Sequence, residues 1–271
     1  MSETTTRPSA ASIAEAAERL DSAARTGHPV PPVRELIGST DLDAAYSVQQ
    51  ELVRRRRSAG AVVVGRKIGL TSPAVQRQLG VDRPDFGVLF ADMDVSEEAE
   101  VASARLMQPK IEAEIAFVLG RDLTEAPSAE DARRSVDHAV AALEIVDSRI
   151  TEWNISITDT IADNASSGLF VLGEHRLRLD EFEPREVGMV LRASDETVSE
   201  GSGAACLGDP INALVWLART AVEFGDPLRA GDIVLSGALG PMVPAPPGSR
   251  FRAEIGPFAP LTVAFSEERS S

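Results

Sequence analysis

The hydrophobic period of this chain changes near residue 60, and that change limits the fold more than any other feature of the sequence. Before it, "SIAEAAERLDSAARTG" sets Ile13, Ala16 or Ala17, Leu20 and Ala24 on one stripe, with Ser12 and Glu15 in capping-box spacing and Gly27 as a stop. A second helical pattern runs from Thr40 to Arg57. After a turn at Ser58 to Gly60, "AVVVGRKIGL" is a β-branched run that reads as a strand. Strand-like segments then recur at "GVLFADM", "IEAEIAFVLG", "ASSGLFVLG", "EVGMVLRAS", "GDIVLSGAL", "RFRAEI" and "PLTVAF", with Gly, Pro and Asp turns between them. Two helices are expected to interrupt this series. One is "SAEDARRSVDHAVAALEIV", capped by Ser128; the other is "GDPINALVWLARTAVEFG", with Asp209 as cap, Pro210 in its first turn and Gly225 at its end. Unevenly spaced strands with few helices predict an α+β fold rather than a regularly alternating parallel sheet, with an N-terminal helical region over 1–60 and a β-rich domain over 61–271.

Charge and cysteine content narrow the function. The net charge of −15 disfavours a nucleic-acid or anionic-membrane partner, and any anion the protein binds needs a local cation. The "RRRR" run at Arg54 to Arg57 ends the second helical pattern and reads as a solvated last turn that favours the helix's negative end. No apolar run approaches the length of a membrane span, and the start lacks a basic segment followed by an apolar one, so a cytoplasmic protein is expected. Cys206 is the single cysteine and the three histidines are scattered, which leaves zinc-type Cys/His sites and a Ser-His-Asp spacing unsupported.

Three segments carry groups suited to chemistry. In "QPKIEAEIAFVLG" strand alternation puts Lys110, Glu112 and Glu114 on one face. If that face lines a cavity, a third oxygen donor would complete half of an octahedral shell, which suits magnesium or manganese. Glu144, at the end of the expected "SAEDARRSVDHAVAALEIV" helix among Leu143, Ile145 and Val146, is the best candidate. If the face is solvated, Glu112 and Glu114 are ordinary surface acids and Glu144 sits in an ion pair. In "VGRKIGLTS", Lys67 lies between Gly65 and Gly69, which leaves room for a ligand, so it is either a binder of a carboxylate, a proton carrier, or an edge lysine in a glycine-rich strand end. In "RPDFGVLFADM", Asp85 either makes an Asx-type turn or serves as a base or as partner to a lysine.

The ordered segments "KIGLTSPAVQRQLGV", "PDFGVLFADM", "QPKIEAEIAFVL", "ALEIVDSRI", "DTIADNASSG", "GDPINALVWLA" and "GDIVLSGALGPMVP" resemble the 2-keto-4-pentenoate hydratases (2-hydroxypentadienoate hydratases) of the fumarylacetoacetate hydrolase superfamily, from about Ala61 to Phe265. The resemblance implies a mixed β-sheet roll of the fumarylacetoacetate hydrolase C-terminal type with an N-terminal helical region, assembled as a homo-oligomer of pentameric rings or paired decamers. It implies that Glu112, Glu114 and Glu144 hold Mg2+ or Mn2+, that Lys67 and Asp85 are an acid/base pair, and that Ser166, or Ser167 beside it, lies at the active site. Leu70, Thr71, Ser236 and Gly237 would contact the substrate carboxylate. The activity implied is addition of water to a 2-hydroxy-2,4-dienoate to give 4-hydroxy-2-oxopentanoate or a homologue, with association with a pathway aldolase or decarboxylase as a further expectation.

Three other functions compete with this one. The metal-dependent 2-oxo-3-hexenedioate (4-oxalocrotonate) decarboxylases share the three glutamates and the lysine. Acylpyruvate hydrolysis in the superfamily often uses a His-Glu pair, and none of the three histidines lies in the motif segments. A non-catalytic subunit would not need the intact set of Glu112, Glu114, Glu144 and Lys67. Asp147, three residues beyond Glu144, is read as a cap or a partner for Arg149 rather than as a fourth metal acid.

Overall fold

A computed structural model describes residues 8–72, 76, 81 and 83–267 of the chain. The stretch after Thr71 in "KIGLTSPAVQRQLGV" therefore lies largely outside the described residues. The N-terminal segment folds as α1 (Ala10–Thr26), the short α2 (Arg34–Ile37) and α3 (Leu42–Ser58). Ser9, not Ser12, caps α1: its hydroxyl accepts from the Ser12 amide at 3.1 Å, so the Ser12/Glu15 pair lies inside the first turns. Gly27 closes α1 in the left-handed conformation, and Asp41 caps α3. The basic run ends α3 as expected, and its arginines pair with Glu51, Glu18, Asp92 and Asp226.

The rest of the chain builds two sheets. The first contains β1 (Val63–Gly69), β2 (Asp85–Phe90), β3 (Lys110–Leu119), β4 (Val136–Val146), β5 (Ser167–Leu172), β8 (Ile233–Leu235) and β9 (Val243–Pro244). Its order is β2-β1-β8-β3-β4-β5, with β9 beside the start of β3. The β1/β8 pair is parallel and the others antiparallel, so the sheet is mixed. The second sheet runs β11-β10-β6-β7, from β6 (Gly188–Ala193), β7 (Glu196–Ser202), β10 (Arg250–Ile255) and β11 (Leu261–Ala264). Mostly polar β7 was not legible as a strand; it is held by pairing to β6 alone, at the sheet edge.

One expected helix is corrected. Helix α4 covers only Ala129–Ser135, and the chain then runs straight into β4, so Glu144 stands on a strand. Residues Ala139 to Val146 are buried without a polar stripe, and a continuous apolar run fits a central strand as well as a buried helix. Pairing decides: β4 is flanked by β3 along nearly its whole length and by β5 on its other edge. Among the described residues, two further α-helices are α5 (Ile157–Ala162) and α6 (Pro210–Glu223), the latter capped by Asp209 with Pro210 at its start.

The first sheet curls until its edge strands meet. The Val95 amide donates to Phe170 O at 3.0 Å, and Asn164 bonds the backbone of Val88 on β2. One continuous apolar core joins Ala16 and Leu20 of α1 to Phe117, Phe170 and Phe265. Helix α3 also braces the sheet through a polar contact: buried Gln49 donates to Phe86 O at 2.8 Å and to Ile161 O at 3.0 Å. One buried amide thus bonds a carbonyl of β2 and a carbonyl of α5, which fixes the two elements against each other.

Candidate active site

The curl of the first sheet brings together residues that are far apart in strand order. Glu112 and Glu114 alternate onto the concave face of β3, and Glu144 on β4 lies directly opposite Glu112. Each of the three offers a carboxylate oxygen within 4.8 Å of the others. Glu114 and Glu144 are buried; Glu114 Oε1 and Glu144 Oε2 lack a hydrogen-bond donor, while Glu144 Oε1 faces a cation. Lys67 reaches over from β1, across the interior of the roll, and its ammonium stands 3.1 Å from Glu144 Oε1 while donating to Ala165 O at 3.0 Å.

Electrostatics set the demand. Burial, and then the neighbouring Glu144, push the Glu112 carboxyl up to about 8 and hold Glu114 well above its ordinary range. Burial alone would depress the Lys67 ammonium, but Glu144, Asp85, Glu112 and Glu114 outweigh it and hold the group above its usual value. One lysine cannot balance the three glutamates and Asp85 once they ionise, and a divalent ion with oxygen ligands meets that demand. The orphaned oxygens of Glu114 and Glu144 show that the residues present fit such an ion.

Asp85 lies beside Lys67, at the start of β2 and paired with Gly69 of β1. Burial raises its pKa, Lys67 opposes that rise, and Oδ1 is unpartnered while Oδ2 accepts from the Thr160 hydroxyl at 3.3 Å. Gly69 is what permits this. A Cβ there would sit 2.2 Å from Asp85 Oδ1 and 3.4 Å from Lys67 Nζ, so carboxylate and ammonium converge on the space that the glycine leaves.

Ser166 is buried and stands 3.4 Å from the Thr160 hydroxyl, one step removed from Asp85. Neighbouring Ser167 is also buried, with its hydroxyl unpartnered. Asn164, Ala165 and Ser166 all have positive φ, a run that L-residues avoid at a cost of roughly 1–2 kcal/mol each. The turn so formed aims Ala165 O at Lys67. Thr71 meets the segment after β8, where a Cβ on Gly237 would fall 2.4 Å from it, and Leu70 before it has positive φ. Ser236 is buried beside them with a free hydroxyl, and the Gly237 amide donates to Glu114 Oε2 at 2.8 Å, so that amide orients a carboxylate of the cluster.

Asp147 does not join the cluster. Its carboxylate accepts the Met107 and Gln108 amides at 2.9 and 2.6 Å, and Arg149 pairs instead with Asp163 at 2.5 Å. Sequence reasoning missed the Ala165 carbonyl, Thr160 and Asn164. "DTIADNASSG" contains all three, but their roles come from a left-handed turn that residue types do not signal.

The sequence profile of the fumarylacetoacetate (FAA) hydrolase C-terminal family matches residues 64–265. The chain is 56% identical over 256 residues to the TodF product hydratase of Pseudomonas putida, covering 94% of this chain and 96% of that one. It is 51% identical over 252 residues to 2-keto-4-pentenoate hydratase 2 of Dechloromonas aromatica, covering 93% and 96%. Among solved structures, 4-oxalocrotonate decarboxylase from Pseudomonas putida G7, complexed with magnesium and adipate, superposes with a TM-score of 0.91 at 31% identity, over 96% of this chain and 100% of that one.

Proposed function

The chain belongs to the fumarylacetoacetate hydrolase family, among the 2-keto-4-pentenoate hydratases, and on that premise we propose that it is a hydro-lyase adding water to a 2-hydroxy-2,4-dienoate, with 4-hydroxy-2-oxopentanoate or a homologue as product. The observation that carries this reading is the placement of Lys67 and Asp85 against the three-glutamate cluster. Glu112, Glu114 and Glu144 are the ligands for Mg2+ or Mn2+, which when bound supplies the positive charge that polarises the 2-oxo group and steadies the negative charge developing on it.

The chain's own residues do the rest. In the first stage the enol proton leaves and the terminal carbon gains a proton, giving a 2-oxo-3-enoate. In the second, water adds its oxygen to C4 and a proton goes to C3. Lys67 and Asp85 carry these proton transfers, Lys67 as the buried ammonium donor and Asp85 with one oxygen free to take the proton of the attacking water. Ser166 and Thr160 hold Asp85 in place. Leu70, Thr71 and Ser236 form the wall beside the substrate, and Gly237 acts on it through Glu114.

No helix among the described residues is long and apolar enough to cross a membrane. We place the enzyme in the cytoplasm as a homo-oligomer of pentameric rings, a mass that light scattering reads directly, and expect a pathway aldolase or decarboxylase as its neighbour. The activity test is to mix metal-stripped protein with 2-hydroxypenta-2,4-dienoate, with and without Mg2+, and to identify the product by NMR. Magnesium-dependent 4-hydroxy-2-oxopentanoate is expected. Loss of the dienol without hydration would reduce the protein to a tautomerase and overturn the reading.

A further inference from the structure

The chain contains two lysines, Lys67 and Lys110, against 25 arginines. Both lysines lie at one site. Lys67 enters the glutamate cluster from β1, and Lys110 shares the concave face of β3 with Glu112 and Glu114, one same-face position before Glu112. In a chain that places arginine at nearly every cationic position, a lysine at 110 calls for a physical reason.

Stacking does not supply it. The Lys110 ammonium sits 4.2 Å from the centroid of the Trp153 ring, but a guanidinium stacks on an aromatic ring at least as well, and this chain uses Arg56 over Phe90 at 4.0 Å for that purpose. Nor does an ion pair supply it, since Lys110 carries none among the described residues; Glu112 is the charged neighbour that acts on it. What separates the two cations is shape. A guanidinium forks onto both oxygens of a carboxylate, and at position 110 it would compete for Glu112. An ammonium acts as a compact point charge and leaves that carboxylate to the cluster.

Burial along the same face of β3 gives the direction of approach. Glu114 is fully buried, Glu112 and Lys110 are half-buried, and Trp153 is half-buried beside them. The mouth therefore lies at the Lys110 end. Lys67 and Asp85, which carry the proton transfers at the reacting carbons and the attacking water, are buried on the inner side. A 2-oxo acid bound with its reacting carbons toward them turns its carboxylate outward.

We propose that Lys110 is a substrate-binding residue whose ammonium, held over Trp153 at the mouth of the glutamate cluster, neutralises the carboxylate of the 2-hydroxydienoate. This deepens the hydratase reading and rests on it for the identity of the substrate. Losing one charge-assisted contact made equally to substrate and transition state raises KM and spares kcat.

The test uses the whole chain loaded with Mg2+. With two lysines, lysine-selective 13C labelling gives two side-chain signals, assigned with Lys67→Met. Adding 2-oxopentanoate, a 2-oxo acid with no double bond to hydrate, is expected to shift the Lys110 signal. Lys110→Met is expected to raise KM for the dienoate by about tenfold, the equivalent of about 1.4 kcal/mol, with kcat within about twofold. Lys110→Arg is expected to weaken Mg2+ binding in calorimetry, whereas Lys110→Met is not. A Lys110 signal that stays still while that of Lys67 moves, or an unchanged KM in Lys110→Met, overturns the proposal. If the wild type fails to hydrate the dienoate but the Lys110 signal still follows 2-oxopentanoate, the hydratase reading falls and the carboxylate contact stands.

Discussion

Lys67 is the residue on which the proposed chemistry turns, because it is a fully enclosed cation whose neighbours are nearly all acids. Replacing it with methionine keeps the length of the side chain and removes the proton. Positioned acid/base groups contribute about 10²- to 10⁴-fold, so Lys67→Met is expected to lose at least about a hundredfold in kcat, measured by product NMR in stopped samples. Mg2+ affinity should be retained or strengthened, since a positive charge has left the neighbourhood of Glu144. Loss of metal binding together with activity would make Lys67 a structural counter-ion rather than a proton carrier. Sequence alone put Lys67, Asp85 and the three glutamates on the candidate list through alternation, glycine neighbours and resemblance. It did not reveal that Gly69 holds open the space shared by Lys67 and Asp85, because a steric gap depends on what approaches from the next strand.

Among the elements, the left-handed turn at Asn164 to Ser166 has the least in common with its sequence description. Asn164 tolerates this backbone better than most residues, and its side-chain amide mimics a strand partner: it accepts the Val88 amide at 2.8 Å and donates to Val88 O at 2.9 Å. Across from it, Gly87 has no Cβ, and one added there would fall 2.3 Å from Asn164 O and 2.7 Å from Ser167 Oγ. Gly87→Ala should therefore push the turn off β2, carrying the Ala165 carbonyl away from Lys67. The expected result is a fall in kcat of about tenfold or more, with a lower melting temperature and a Mg2+ affinity close to wild type, followed by calorimetry and turnover on the same preparation. A melting temperature that drops while kcat holds would show that the turn closes the roll without serving Lys67. The strand β4 teaches a related lesson: its alanine-rich run reads as helix or strand equally well, and only the flanking strands select between them.

At the scale of the whole molecule, the buried acids link stability to pH. Glu112 rises from an ordinary 4.5 to about 8, and Asp163, raised by burial against the pull of Arg149, stands at about 6. A carboxyl whose folded pKa lies above its unfolded one binds its proton more tightly in the native state. Its contribution is complete below the unfolded value and is lost as pH rises through the folded one, at about 1.4 kcal/mol per unit of displacement. The metal-free protein is thus expected to melt lower at pH 8 than at pH 5.5. Mg2+ should reverse the order by taking the ionised cluster, raising the melting temperature more at pH 8 and releasing protons on binding near pH 7, which calorimetry in buffers of different ionisation enthalpy counts. A metal-free melting temperature that is flat or rising over this range, with no proton release, would mean that the cluster is ionised without metal.

The sequence by itself determined the class of the fold and most of the strands, and it supplied the charged candidates for the site. Those follow from hydrophobic period, turn residues and the alternation of side chains along a strand, all of which are local. Only the tertiary structure decided that Glu144 belongs to a strand, that Lys67 on β1 meets it across the inside of a curled sheet, that Asp147 serves backbone amides, and that the Lys110 ammonium lies over Trp153. The physical reason is common to these cases: each depends on which distant strand or turn arrives at a given face, and that is fixed by the curl of the sheet and the burial it enforces.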